Sequence, residues 1–533
     1  MTRDPNREIA GGGAAAGKGG TVAGKTFFGH PRGLATLFFT EMWERFSYYG
    51  IRPLLVLFMA AALMEGGFGF DRDQASAIVG IYAAAVYLAS LPGGWVADRL
   101  LGLRRAILWG AVLISAGHIS IGLSAFAAGK IPFFLGLVLI VLGTGLLKPN
   151  ISAIVGDLYP EGGARRDAGF SIFYMGINVG AFFGQLVTGF LGEMVGWHWG
   201  FGAAGVGMLA GLLVYTATAG RTLGDIGLEP TRHPDPEVQA RQVRNGKLAL
   251  AIGLGVLAAV FLAAATGVVT LNAQAIGRSM TYVIVGAAVA YFAYVFLFGG
   301  LTTGEKKRVL VIAVLFFFAA IFWSAFEQAP TSLNLFAADF TDRMVGTFEI
   351  PATWFQSVNS FFIILFAPFF ASLWVGLAKR GFDLSSPTKF ALGLALAGVG
   401  FALMIVAANK VVSGGADTLV SPWWLVASYF FQTTGELCLS PVGLSSMTKL
   451  SPRKYVGQMM GIWFMASALG NLIAGLVGGH VDPENLEQMP QLFTTTTASL
   501  FIAAIVLGLM VVPIRRMMSK SEEGAVKATA GGA

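Results

Sequence analysis

Fourteen apolar stretches, each near the roughly 20 residues that a helix needs to cross a bilayer, fill the sequence from about residue 34 onwards. In hydrocarbon every unsatisfied backbone polar group costs several kcal/mol, so lipid-exposed segments of this kind form helices. The pattern therefore predicts an all-α membrane protein with 14 transmembrane helices. The predicted spans are 34–62, 74–98, 106–127, 132–157, 167–191, 198–219, 248–270, 281–300, 309–330, 350–377, 388–409, 422–447, 456–479 and 493–514.

The composition favours lipid as the solvent for these stretches. Of the 533 residues, 55% are hydrophobic and only 12% are charged, whereas a soluble domain carries about 25% charged residues. The net charge of +7 does not indicate nucleic-acid binding, because the basic residues form short clusters between apolar stretches without a continuous basic face. The single cysteine, Cys438, excludes an intrachain disulfide.

Lysine and arginine are distributed unequally between the two sides that fourteen spans define. The side with both termini holds 28 of the 36 Lys and Arg residues, and the other side holds five, namely Arg72, Lys130, Arg278, Arg343 and Lys410. Because cytoplasmic loops carry the excess of Lys and Arg, we expect both termini to lie in the cytoplasm. The expected location is the cell (inner) membrane, which the chain would cross many times.

The predicted spans form two groups of six with an inserted pair between them. The segment 220–247 is polar and rich in Pro and Arg, and spans 248–270 and 281–300 contain no charged residue. This organisation suits a transporter with its site between two similar bundles, and the alternative is a fusion of two unrelated membrane domains. The predicted parts are a cytoplasmic tail (1–33), a six-helix bundle (34–220), a cytoplasmic linker with the inserted pair (221–306), a second six-helix bundle (307–516) and a second cytoplasmic tail (517–533).

The first span carries four charged residues, Glu41, Glu44, Arg45 and Arg52. A charge at the centre of a transmembrane helix costs about 2.5–3.5 kcal/mol, so these four are expected to face protein or water. Together with Tyr48 they follow the i, i+3, i+4 spacing that places residues on one side of a helix. We therefore predict an inward-facing charged stripe.

Three further charges lie well inside predicted spans: Lys148 in the first bundle, and Glu327 and Glu436 in the second. One interpretation is that they form permanent ion pairs that lock helices together, although such pairs give little net stability. The other is that charges from the two bundles exchange partners. A buried carboxylate binds a proton more readily once a neighbouring arginine moves away, which is the chemistry that proton coupling requires.

Four segments carry a resemblance to a known family. EMWERFSYYG (41–50), FYMGINVGAFF (173–183) and GELCLSPVGLSSMTKLSP (435–452) resemble the motifs of the proton-dependent oligopeptide transporters, and GGWVADRLLGLRRA (93–106) is similar to a loop motif of the wider major facilitator superfamily. The resemblance covers about residues 30–516, with departures at Phe182, where Leu is more usual, and at Ser360, where Pro is usual. It implies the major facilitator fold of a bacterial-type member: 12 core helices in two six-helix bundles, plus an inserted pair.

The resemblance also implies roles for individual residues. Glu41, Glu44, Arg45 and Glu327 would belong to the proton-coupling network. Arg52, supported by Lys148, would receive the peptide carboxylate once protonation of Glu327 releases it. Asn178, Asn359 and Glu436 would hold the peptide amino group, and Tyr48, Tyr82, Trp323, Trp463 and Ser467 would line side-chain pockets. Arg72 and Asp339 stand where an external gating pair would be expected.

The expected function is import of di- and tripeptides by proton-coupled symport, with protons as the coupling ion, no other cofactor, and a monomer in the lipid bilayer as the working form. A second hypothesis keeps the fold but changes the solute to nitrate, an amino acid or a drug-like anion. A third is an intramembrane enzyme, which the sequence does not favour because it has no GxSxG motif, metal-binding pair or Ser/His arrangement. His118, the one histidine well inside a span, is interpreted as a packed helix residue.

Overall fold

The computed structural model describes residues 26–124, 129–231, 234–382 and 384–530, and it is almost entirely helical over these ranges. The prediction of fourteen long helices is confirmed. The long helices are α1 (Arg32–Ala60), α2 (Arg72–Val96), α3 (Leu103–Leu123), α4 (Lys130–Asp157), α5 (Gly163–Phe190), α6 (Trp197–Thr222), α7 (Pro236–Ala265), α8 (Ala273–Phe298), α9 (Thr303–Phe326), followed by the short α10 (Asn334–Phe340), and then α11 (Trp354–Lys379), α12 (Ser386–Gly414), α13 (Trp423–Leu450), α14 (Val456–Val477) and α15 (Gln488–Ala530).

Among the described residues, 12 helical segments are long and apolar enough to cross a membrane. The two long helices outside this set are α1 and α13. Every 18-residue stretch of α1 includes at least three charged residues, and α13 contains the polar run from Gln432 to Glu436. These two helices therefore need protein or water around their polar side, which places them at the interior of the fold.

The region after α9 departs from the predicted boundary. The sequence predicts a span that ends near residue 330, whereas the helical path continues through a wide turn at Ala329–Leu333 into α10. Pro330 has no backbone N–H and cannot complete a regular helical hydrogen bond, which explains the irregular turn. The continuation places the end of this path at residue 340.

Helix packing divides the core into two six-helix bundles. In the first bundle α1 packs against α5 and α6, α3 packs against α4 and α6, and α2 packs against α4. The second bundle repeats these pairs: α9 packs against α14 and α15, α12 against α13 and α15, and α11 against α13. The two bundles meet where α2 packs on α14 and α5 packs on α11. This correspondence is the internal symmetry typical of transporters built from repeated units.

The α2–α14 contact is close because glycines face each other across it. A Cβ atom added to Gly80 would lie 2.7 Å from the Cα atom of Gly475, and one added to Gly475 would lie 2.6 Å from the Cα atom of Gly80. Any side chain at either position would force the helices apart. Small residues allow the backbones of membrane helices to approach in this way.

The inserted pair lies outside the two bundles. The start of α8 is tied to α2, because the Gln274 side chain donates to the Asp73 carbonyl at 2.9 Å, and α8 also packs on α14. The apolar part of α7 is exposed along its length. In a membrane protein such a surface is in contact with lipid.

The helix connections lie on two faces. The connections after α2, α4, α8 and α13 share one face with His30, which hydrogen-bonds the Tyr159 hydroxyl at 2.8 Å; we call it the N-terminal face. The connections after α1, α5, α10, α12 and α14 lie on the opposite face. They include the two-stranded hairpin β1 (Met344–Val345) and β2 (Phe348–Glu349), whose antiparallel register pairs Met344 with Glu349.

Candidate functional site

The first charged cluster lies on α1 and is buried. The Arg45 Nε atom is 2.8 Å from a Glu41 carboxylate oxygen and 2.7 Å from a Glu44 carboxylate oxygen. The Thr144 hydroxyl of α4 donates to Glu44 at 3.4 Å. One guanidinium thus lies between two carboxylates, so a proton can bind one of them without leaving the cluster unpaired. The predicted inward-facing stripe is present.

A second ion pair joins the two bundles. Arg52 on α1 forms a buried salt bridge with Glu327 at the end of α9, and it also donates to the Asn471 side-chain carbonyl of α14 at 2.6 Å. Its guanidinium lies 5.9 Å from the centre of the Tyr48 ring, and the Arg45 guanidinium lies 5.6 Å from the same ring. Tyr48 therefore connects the two charged groups of α1.

A polar group on the second bundle is built around Glu436. The Asn359 side chain of α11 donates to the Glu436 carboxylate at 3.2 Å and to the Thr433 hydroxyl at 2.9 Å. Glu436 has no salt bridge with a Lys, Arg or His side chain within the part of the chain that the structure describes. A carboxylate without a cationic partner is suited to receive an ammonium group.

Lys148 lies between these groups. Its Nζ atom is 4.1 Å from the centre of the Tyr87 ring on α2, a cation–π geometry. It interacts electrostatically with Glu41, Glu44 and Glu327, and Glu327 in turn interacts with Glu436. The charged side chains of α1, α4, α9 and α13 therefore lie close enough to interact where the two bundles meet.

The other predicted site residues have more local surroundings. The Asn178 side chain donates to the Tyr174 carbonyl of its own helix at 3.0 Å. Tyr82 lies beside Tyr48, with ring centres 6.1 Å apart. Three residues of the second bundle are also buried: Trp323 packs on Gly470, Trp463 packs on Phe390 and Gly443, and the Ser467 carbonyl accepts from Asn471.

The predicted pair Arg72 and Asp339 forms a salt bridge on the opposite face. Arg72 also donates to the Val481 carbonyl at 3.1 Å and lies 3.7 Å from the Asp482 carboxylate. The start of α2 is therefore held by the end of α10 and by the connection between α14 and α15. We call this group the Arg72 latch.

A second connection between the bundles on the same face was not predicted. The Glu193 carboxylate at the end of α5 accepts from the backbone N–H groups of Ala352 and Thr353, at 2.7 and 3.0 Å, and from the Thr353 hydroxyl at 2.7 Å. Arg343, which pairs with Glu349 at 2.7 Å, lies 3.9 Å from Glu193. Glu193 therefore holds the two residues that directly precede α11 from the other bundle. We call this group the Glu193 latch.

Sequence reasoning missed Asn471, Asp482 and Glu193 for different reasons. Asn471 is uncharged and stands in an apolar span, so only its carboxamide distinguished it from helix-packing residues. Asp482 and Glu193 stand at the ends of spans, where charged residues are ordinary. Asp482 contacts Arg72 and Glu193 contacts Ala352, residues far away along the chain, and no local pattern encodes such contacts.

This fold and this group of buried charged residues define a class of protein. The protein is a membrane transporter of the major facilitator type, in which charged side chains of two similar bundles meet at a central site and latches join the bundles on one face. Comparison with known proteins identifies the family. Residues 104–490 match the model of the POT family (PTR2), and the chain belongs to this family.

Three similar proteins show how far the likeness extends. The peptide transporter YePEPT of Yersinia enterocolitica subsp. palearctica serotype O:3 (strain YE-P4) is 51% identical over 506 residues, which cover 94% of this chain and 98% of that protein. A di-/tripeptide transporter of Lactococcus lactis subsp. cremoris is 38% identical over 84% of this chain and 89% of that protein. A crystal structure of peptide transporter POT in complex with sulfate is 41% identical, with a TM-score of 0.84 over 93% of this chain and 97% of that one.

Proposed function

We propose that this protein is a proton-coupled symporter that imports di- and tripeptides across the cell (inner) membrane by alternating access. The main support is the Arg52–Glu327 pair, which joins the two bundles at the central site. The names of the relatives, peptide transporter and di-/tripeptide transporter, agree with this function.

The central site suits the ends of a short peptide. Arg52 and Lys148 offer positive charge to its carboxylate, whereas Glu436 and Asn359 offer hydrogen-bond acceptors and charge to its amino group. Asn178 would complete the amino-group site. Tyr48, Tyr82, Trp323, Trp463 and Ser467 would shape side-chain pockets, since a receptor for many peptides needs roomy apolar space between its two fixed polar ends.

Protonation of Glu327 is the step that links the two substrates. A protonated Glu327 no longer neutralises Arg52, which is then free to bind the peptide carboxylate. Loss of the proton restores the Arg52–Glu327 pair, which competes with the carboxylate and promotes peptide release. The cluster of Glu41, Glu44 and Arg45 would pass or store protons beside this pair.

The opposite face is the external one in this proposal. The N-terminal face carries most Lys and Arg residues and is therefore assigned to the cytoplasm, with both termini. The Arg72 and Glu193 latches hold the external face together, while Tyr174, in the half of α5 nearer the cytoplasm, is 44% exposed and interacts electrostatically with Glu436. These observations favour an inward-facing state. The working unit is proposed to be the monomer, because each chain contains the whole central site.

Uptake into proteoliposomes tests the function. Labelled dialanine should accumulate when the outside is acidic and equilibrate without accumulation when no pH gradient is imposed. Unlabelled di- and tripeptides should compete, whereas nitrate and free amino acids should not. Equal competition by nitrate would overturn the peptide assignment, and accumulation that ignores the gradient would overturn the coupling.

A further inference from the structure

A cavity lies on the N-terminal face, apart from the central site. It has a volume of about 630 Å³ and lies between the α8–α9 connection and the α13–α14 connection. Its lining residues are Gly300, Glu305, Arg308, Lys449, Ser451, Lys454 and Val456. Three side chains in this set are cationic and one is anionic, so the cavity carries a net positive charge.

The internal contacts of the cavity leave part of this positive charge without a partner. The Glu305 carboxylate is engaged by the backbone N–H and the hydroxyl of Thr302, at 2.8 and 2.9 Å, as a helix cap. Lys454 donates to the Gly299 carbonyl. The Arg308 Nε atom is buried and has no hydrogen-bond acceptor within the described ranges. A buried N–H group without an acceptor is costly unless a ligand completes it, so Arg308 marks an anion site.

The surroundings of the cavity point to a lipid rather than a small soluble anion. Leu297 and Phe298, which come directly before the cavity on α8, are each 74% exposed, and Tyr294 is exposed one helical turn earlier. Exposed aliphatic and aromatic side chains at a helix end mark the boundary between acyl chains and headgroups. A phospholipid fits both features of this surface. Its phosphate would contact the cationic side chains of the cavity, and its acyl chains would contact the exposed apolar end of α8.

We propose that this cavity binds the phosphate group of an anionic phospholipid from the leaflet at the N-terminal face. Basic pockets between membrane helices bind such headgroups. The bound lipid would bridge the end of the inserted pair to the second bundle, because the α8–α9 connection and the start of α9 contribute one wall and the segment around the α13–α14 connection contributes the other. The cavity is separate from the central site and does not depend on the transported solute.

Lipid retention tests the proposal directly. The protein is reconstituted in phosphatidylcholine nanodiscs that contain a minor fraction of phosphatidylglycerol, and retained lipids are counted by native mass spectrometry. Arg308→Gln with Lys449→Gln should lower the apparent affinity for phosphatidylglycerol by roughly fivefold for each cation removed. The matched control, Lys306→Gln with Arg380→Gln, removes the same charge from exposed positions outside the cavity and should retain phosphatidylglycerol like the wild type.

Three results would overturn the proposal. Equal loss of phosphatidylglycerol from both double variants would mean that general surface charge, and not the cavity, attracts the lipid. The affinity of inorganic phosphate and of glycerol phosphate for the detergent-solubilised protein is measured as well. If either anion binds as tightly as phosphatidylglycerol, and if Arg308→Gln weakens that binding, the site belongs to a soluble anion. A monodisperse chromatographic profile shows that the Arg308→Gln, Lys449→Gln variant is folded. If this folded variant retains phosphatidylglycerol with wild-type affinity, the cavity is not the binding site.

Discussion

At the scale of single residues, Glu436 differs from Glu41, Glu44 and Glu327 because its hydrogen-bond partner is neutral. The neutral Asn359 donates a hydrogen bond to it, whereas Glu41, Glu44 and Glu327 each form a salt bridge with an arginine. Glu436 is therefore the carboxylate most available to a substrate ammonium group. Arg52, in contrast, must exchange Glu327 for the peptide carboxylate before it can bind substrate.

Glu436→Gln should weaken recognition of the peptide amino group. Loss of one partner of a buried, hydrogen-bonded charge pair costs about 2–5 kcal/mol, so the KM for dialanine should rise by at least about tenfold. N-acetylated dialanine, which has no ammonium group, should compete about as well as before. Competition assays in proteoliposomes measure both. The control is Glu349→Gln, which alters a half-exposed carboxylate on the opposite face and should leave the KM unchanged. An unchanged KM in Glu436→Gln would contradict the role of Glu436 in binding the amino group.

Asn471→Asp should shift the pH dependence of uptake to lower values. The substitution places a second carboxylate beside Arg52, where the Asn471 carbonyl now accepts at 2.6 Å. When Glu327 alone is protonated, the new carboxylate at position 471 still pairs with Arg52. A more acidic outside is then needed to protonate both carboxylates and free Arg52. A pH profile of dialanine uptake measures this shift. The control Asn409→Asp changes an exposed position of α12, and a profile identical to the wild type in Asn471→Asp would show that Asn471 does not act on Arg52.

At the scale of helices, the two latches lie where the bundles meet. The Arg72 latch holds the α2–α14 side and the Glu193 latch holds the α5–α11 side. Gly189 packs directly against the Thr353 hydroxyl, so α5 and the start of α11 lie close together at this point. Opening of the opposite face requires both groups to separate, because each joins one pair of contacting helices.

Glu193→Ala should increase the population in which the opposite face is open. A partly exposed ion pair contributes about 0.2–1 kcal/mol, so we expect a rise of roughly two- to fivefold, with a further rise when Arg72→Gln is added. Spin labels on cysteines introduced at Met64 and Asp417, in a Cys438→Ala background, report the separation of the bundles across this face. Glu349→Ala, which removes the other partner of Arg343, is the control. A distance distribution that Glu193→Ala leaves unchanged would contradict the latch.

At the scale of the whole molecule, the sequence predicted the fold class well because lipid imposes a strong and local rule. Each span must be apolar and about 20 residues long, and charges that break this rule, such as Glu44 and Arg52, must point inward. The predicted stripe on α1 followed from helical spacing alone. The pairing of helices α2 with α14 and α5 with α11 has no such local signature.

The candidate site was predictable only in part for the same reason. Charged residues inside spans, such as Lys148, Glu327 and Glu436, are conspicuous against an apolar background. Asn471, which binds Arg52, is uncharged, and Glu193, which joins the bundles on the opposite face, lies at the end of a span. The roles of both residues become visible only when distant segments are brought together. The irregular turn before α10 was also missed, although Pro330 was a signal that the helix would be interrupted there.

Glu327→Gln in proteoliposomes tests the central claim most directly. Glutamine keeps the shape of the side chain but cannot exchange a proton, so accumulation of dialanine driven by an acidic outside should be lost. Counterflow, in which unlabelled peptide inside drives exchange without net proton movement, should persist. The control Glu65→Gln, at an exposed position, should accumulate peptide normally. Undiminished gradient-driven accumulation by Glu327→Gln would contradict the claim that the Arg52–Glu327 pair couples proton movement to peptide movement.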